Sequence, residues 1–135
     1  KNQKKPDGII FRFDGEEIHL EIVEMKSKLN KKSWDSTKEQ AEAGLLNALA
    51  IKGIFDLPNF SSITLHVAYK IDNLSIDRSS SPSLFRVPLG EKITKPSWMD
   101  WEDGNINLLA SKNISINKIV RDENGDCSCV IKNSF

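Results

Sequence analysis

The sequence predicts an α/β domain: a ββαβ core with a mixed central sheet, one covering helix and a C-terminal β-hairpin. Three observations predict it. An Asp14-Gly15 pair separates two β-rich runs, 9–13 and 18–23; a helical pattern fills 35–52; and a strand pattern fills 62–71. Strand, hairpin, helix, strand in that order lays the last strand beside the second, with the helix across one face. At 135 residues the chain suits a single domain, 1–135, with its own core.

The first hairpin carries the most information. Asp-Gly between β-rich runs is a strong short-range turn signal, because both central positions of the tightest turn need φ > 0. With Asp14 and Gly15 as the turn residues, Phe13 faces Glu16, Phe11 faces Ile18, Ile9 faces Leu20 and Asp7 faces Ile22. Side chains alternate along a strand and paired residues share a face. Asp7, Ile9, Phe11, Ile18, Leu20, Ile22, Glu24 and Lys26 therefore share one, apolar in its middle and ending in two carboxylates and an amine. Asp7 and Glu24 become diagonal neighbours roughly 7 Å apart. Two acids so placed at the rim of a buried face can chelate one divalent cation. Glu17 and Glu21 fall on the opposite face, and Glu16 lies at the turn end, remote from the site.

The helix over 35–52 takes Ser36 and Glu39 as its capping box and Gly53 as its C-terminal stop. Leu45, Leu46, Leu49 and Ile51 give it an apolar surface, and Ala41, Gly44 and Ala48 form a small-residue stripe that permits close approach. Gln40, one turn inside the helix, lies near the strand end that carries Lys26. It either faces that site or is a solvated helix amide.

Beyond the strand at 62–71, residues 78–83 read as an exposed loop and 84–87 as a short strand. Residues 96–104 form an aromatic and acidic turn whose Trp98 and Trp101 plug the side of the core. Asn124-Gly125 between 114–120 and 127–132 signals a second tight hairpin. His19 and His66 have no spaced ligand partners and read as structural. Cys127 and Cys129, without a second pair, are ordinary small residues.

Pro6-Asp7 followed across a hairpin by Glu24-Met25-Lys26 resembles the catalytic signature of the PD-(D/E)XK nuclease superfamily. The resemblance covers about the first half of the chain, including the helix. It implies a restriction-endonuclease-like fold and divalent-metal-dependent hydrolysis of phosphodiester bonds. It assigns Asp7 and Glu24 as side-chain ligands of Mg²⁺ or Mn²⁺, with the Met25 carbonyl completing the shell. It further assigns Lys26 to the attacking water and the phosphate, and Gln40 to the polar helix position that faces the site. The superfamily cuts DNA more often than RNA, so DNA is the leading substrate. A helix usually precedes the first motif strand in that superfamily, and the chain starts at Lys1, so it reads as a fragment or processed C-terminal part of a longer protein.

Nineteen basic and nineteen acidic residues balance, so no global field advertises a nucleic-acid partner. The local distribution is more telling. Lys1, Lys4 and Lys5 precede Asp7, while Lys28, Lys31 and Lys32 follow Glu24, and the hairpin brings both clusters to one end. A solvated basic loop is the plain reading of such clusters, but convergence on the metal site favours phosphate contact by Lys28, Lys31 and Lys32. No segment has the length of a membrane span and no signal-peptide pattern opens the chain, so the expected site of action is cytoplasmic. Two further readings stand beside the DNA endonuclease. One is a toxin-type nuclease domain of a secreted protein, acting on DNA or tRNA and held by an immunity protein or other regulatory partner. The other is a non-catalytic nucleic-acid or protein-binding module with the same fold.

Overall fold

Among the described residues, five strands form one mixed sheet in the order β1-β2-β3-β5-β4. The computed structural model describes residues 4–74 and 96–131; the loop expected at 78–83 and the strand expected at 84–87 lie outside them. β1 (Gly8–Asp14) and β2 (Glu17–Leu29) pair antiparallel, and α1 (Lys31–Ile54) then returns the chain to β3 (Phe60–Asp72), which runs parallel to β2. A short helix α2 (Ser97–Asp103) leads into β4 (Asn105–Ile106), which pairs antiparallel with β5 (Ile114–Val120), and β5 lies parallel to β3.

The hairpin forms, but two residues out of the expected register. Asp14 pairs with Glu17, Phe13 with Ile18, Phe11 with Leu20 and Ile9 with Ile22. The loop is therefore Gly15-Glu16, not Asp14-Gly15. Gly15 has φ +60° while Glu16 has no positive φ. That is the pattern of a turn needing glycine only at its first loop position, which frees Asp14 to extend the strand. A two-residue shift moves every partner and leaves every face unchanged, because side-chain alternation has period two.

The helix starts at Lys31 rather than at residue 35. Asn30 caps it: its side chain accepts from the Ser33 N–H at 2.9 Å, and the Asn30 N–H donates to Ser33 Oγ at 2.8 Å. This reciprocal pair satisfies orphan amides nearly two turns earlier than the Ser36/Glu39 spacing would. Gly53 lies inside the last turn, and Phe55 ends the helix. The buried face is Trp34, Thr37, Ala41, Gly44, Leu45 and Ala48, so the small-residue stripe meets the sheet, whereas Leu46 is 53% exposed. The core joins this face to Leu20, Ile22, Leu65, Val67, Trp101, Ile106 and Ile114.

The aromatic segment at 96–104 is α2 rather than a turn, ended by Gly104 at φ 72°. Trp101 is buried, stacks edge-on against Trp34 and Tyr69 at 5.4 Å each, and donates its indole N–H to Asp72 Oδ2 at 3.0 Å. It plugs the core as expected. The second hairpin does not form among the described residues. Asn124-Gly125 does turn the chain, with Gly125 at φ 86° and Asp122 hydrogen-bonded to Asp126, but residues 126–131 make no strand. Arg121 Nε donates to the Gly125 carbonyl and Lys70 Nζ to that of Glu123, so the turn is anchored by side chains in place of a ladder. Cys127 and Cys129 are exposed free thiols.

Candidate active site

Continuing the observed register one step beyond Gly8↔Val23 sets Asp7 directly opposite Glu24, and one step more sets Pro6 opposite Met25. The expected diagonal pair is thus a facing pair, closer than the sequence suggested. Two hydrogen bonds lock it. The Asp7 N–H donates to Glu24 Oε2 at 3.2 Å, and the Met25 N–H donates to Asp7 Oδ2 at 2.7 Å. In an antiparallel pair, hydrogen-bonded and non-hydrogen-bonded positions alternate. The two-residue loop closes on a hydrogen-bonded Asp14/Glu17 pair, so alternation brings the Pro6/Met25 pair to a hydrogen-bonding position. Pro6 has no N–H to give. The ladder cannot take the Met25 carbonyl, and the Asp7 carboxylate takes the Met25 amide. This is the physical use of a proline immediately before the aspartate.

Lys26 lies two residues on, on the same face. Its ammonium donates to Glu24 Oε1 at 2.6 Å and to Gln40 Oε1 at 2.8 Å. Gln40 Nε2 donates in turn to the Lys5 carbonyl at 3.1 Å, with Ser36 Oγ 3.4 Å from Gln40 Oε1. Of the two alternatives for Gln40, the structure adopts the one facing the site. The segment before Asp7 is held to α1 twice more. Lys4 pairs with Glu39, and Pro6 packs so closely on Gly44 that a Cβ there would come within 2.8 Å of the proline ring. A helix residue larger than glycine would push the Pro6-Asp7 segment away from the sheet.

Burial raises the Glu24 carboxyl above the ordinary carboxylate range, and the Asp7 charge adds to this, while the bond to Lys26 opposes it. Glu24 is 2% exposed. The donor set fits a hard divalent cation: the buried Glu24 carboxylate, the exposed Asp7 carboxylate and a backbone carbonyl, all oxygen. Among the described residues no group of three or more His, Cys, Asp or Glu side chains gathers. Two carboxylates suit Mg²⁺, which keeps several of its waters.

Lys4, Lys31 and Lys32 line a cavity of about 600 Å³ with Asp35, Ser36 and Glu39, and Ser36 and Lys4 tie that cavity to the Gln40 end of the site. Lys31 and Lys32 stand on the first turn of α1, not on a loop. Lys28 is on β2, exposed and outside this lining.

Sequence reasoning missed Tyr69, which the parallel register sets beside Lys26; its hydroxyl is raised by burial and by Asp72. Only strand pairing between β2 and β3 reveals it. The opposite face of the sheet holds the buried Glu21, His66 and His19. Glu21 Oε2 lies 2.7 Å from His66 Nε2, Asn117 Nδ2 lies 2.9 Å from His66 Nδ1, and Arg12 Nε reaches Glu21 Oε1 at 3.4 Å. His19 Nδ1 meets Ser62 Oγ at 2.7 Å. Both histidines are therefore built into the sheet, and Glu21 is on the far side from Glu24, as expected.

No protein-family model, curated protein or solved structure matches this chain. Among the described residues no helix is long and apolar enough to cross a membrane.

Proposed function

We propose that this chain is a divalent-metal-dependent nuclease domain with a restriction-endonuclease-like core, hydrolysing phosphodiester bonds, with DNA as the first substrate to test. The observation that carries the reading is the convergence of Asp7, Glu24 and Lys26 at one strand end, linked by hydrogen bonds at 3.2 and 2.6 Å. Asp7, Glu24 and the Met25 carbonyl would hold Mg²⁺ or Mn²⁺. Such a cation, when bound, offsets charge on the phosphate and makes a nucleophile available from water near neutral pH.

The remaining work falls to this chain's own side chains. Glu24, buried and with its carboxyl raised, would bind a cation in competition with a proton, so its ligand form would depend on pH. Lys26 carries a positive charge to the same rim, where it can contact a non-bridging phosphate oxygen or orient the attacking water. Asp7 is fixed by the Met25 amide, which limits reorganisation when the site loads. The lysines of the neighbouring cavity can bind phosphates flanking the scissile one without reading sequence.

The test is incubation with Mg²⁺ or Mn²⁺ and a panel of plasmid DNA, single-stranded DNA and tRNA, with excess chelator as the control. Divalent-dependent nicking of DNA is the expected result. Cleavage of tRNA alone would shift the reading to a toxin-type domain with an immunity partner. No cleavage of any substrate would leave a non-catalytic binding module.

A further inference from the structure

Lys26 is the one cation in direct contact with the proposed ligand Glu24 among the described residues, and its side chain is only 18% exposed. A metal ion arriving at Glu24 competes with that ammonium for the same carboxylate. An ammonium so enclosed cannot simply lose its partner, because an unpaired buried charge is costly. Gln40 offers the alternative. Its Oε1 lies 2.8 Å from Lys26 Nζ, and its Nε2 donates to the Lys5 carbonyl at 3.1 Å. Only one orientation of the amide serves both neighbours, since an ammonium needs an acceptor and a carbonyl needs a donor. Glutamate would satisfy the first and repel the second, and an apolar residue neither.

We infer that Gln40 is a positioning residue that retains Lys26 when a cation takes Glu24, so that metal binding and the placing of the lysine are one coupled event. This deepens the nuclease reading and rests on it. Two further features support the role. Gln40 is bonded to the backbone two residues before Asp7, so its amide senses both arms of the site. It also sits on a helix that Gly44 and Pro6 hold at fixed distance from the sheet, so the amide is presented by a rigid element.

The experiment is calorimetric titration of Mn²⁺, without nucleic acid, into the wild type, Gln40→Met, Lys26→Met, the double variant and Gln40→Glu. Gln40→Met should bind Mn²⁺ about tenfold more weakly, the scale of one charge-assisted hydrogen bond. Lys26→Met should bind at least as tightly as wild type, and the double variant should match Lys26→Met, because without the ammonium there is nothing to retain. Gln40→Glu, which keeps an acceptor for Lys26, should not share the weakening. In cleavage, Gln40→Met should lower kcat at saturating metal with little change in KM, as loss of a lysine position would. Equal Mn²⁺ affinity in wild type and Gln40→Met would overturn the inference while leaving the metal site intact. Weakening that persists in the Lys26→Met background, or that Gln40→Glu shares, would reduce Gln40 to a structural brace and also overturn it. A wild type that binds no Mn²⁺ would overturn the nuclease reading itself and this inference with it.

Discussion

Glu24 concentrates the residue-scale consequences. Burial, then the Asp7 charge, raises its carboxyl, so the folded protein holds that proton more tightly than the unfolded chain does. The stability this contributes is present below the unfolded carboxylate value and is lost as pH rises through the higher folded value. Glu24→Gln should therefore flatten the fall in metal-free stability across that window, and it should melt no lower than wild type at neutral pH; denaturant titrations at several pH values check this. Because protons and cations compete for the carboxylate, the rise in melting temperature on adding Mn²⁺ should be larger at pH 8 than at pH 5. That rise should nearly vanish in Asp7→Asn and Glu24→Gln and survive in Lys26→Met. Asp7→Ala, Glu24→Ala and Lys26→Ala should each cost at least about a hundredfold in cleavage rate while remaining folded. The exposed turn residue Glu16 is the proper control, and full activity of any of the three site variants beside an active Glu16→Ala would sink the assignment.

At the scale of elements, α1 positions the site through a single close approach. Gly44 to alanine ordinarily favours a helix by up to about 1 kcal/mol. Here the new Cβ would meet the Pro6 ring at 2.8 Å and Ile22 at 3.5 Å. Gly44→Ala should therefore lose stability in spite of its propensity, and should lose cleavage more steeply than stability because Asp7 follows Pro6; thermal melts paired with rate measurements separate the two. The first turn of the same helix presents Lys31 and Lys32 to the lysine-lined cavity. Neutralising both should weaken binding to all sequences alike and reduce the salt slope by about 0.9 for each duplex phosphate that is no longer neutralised. An unchanged slope would return these lysines to the role of a solvated helix end. Lys28, outside the lining, should contribute less to that slope.

Over the whole molecule the sheet separates two kinds of polar chemistry. The α1 face ends in the proposed metal site, reachable from solvent past Asp7. The other face buries Glu21 and His66, which half-buried Arg12 and Asn117 flank in one hydrogen-bonded row across β1, β2, β3 and β5. Glu21→Ala would leave His66 and Arg12 without their shared carboxylate partner, and the loss of stability should reach about 3 kcal/mol or more. Equilibrium unfolding measures it; a wild-type midpoint would show that the row contributes little. Glu21 is thus a stability residue, and its distance from Glu24 does not make it a silent control.

The sequence by itself determined which residues share a face. Strand alternation has period two, so Asp7, Glu24 and Lys26 stayed together although the hairpin register moved by two residues. It likewise determined that Ala41, Gly44 and Ala48 form a stripe open to close approach and that the chain turns at Gly15 and Gly125, because these depend on local sterics; that this stripe meets the sheet while Leu46 and Ile51 stay exposed was decided by packing. Only the tertiary structure decided the neighbours. It chose the glycine-first loop that sets Asp7 opposite Glu24. It put Tyr69 beside Lys26 and His66 beside Asn117, and it left Cys127 and Cys129 outside any strand. Parallel pairings join segments tens of residues apart, and no local pattern fixes their register. It is set where the most apolar surface and the most backbone groups are satisfied together. The Gln40 amide lies at that boundary: its helix was legible in the sequence, but its bonds to Lys26 and Lys5 exist only once helix and sheet have met.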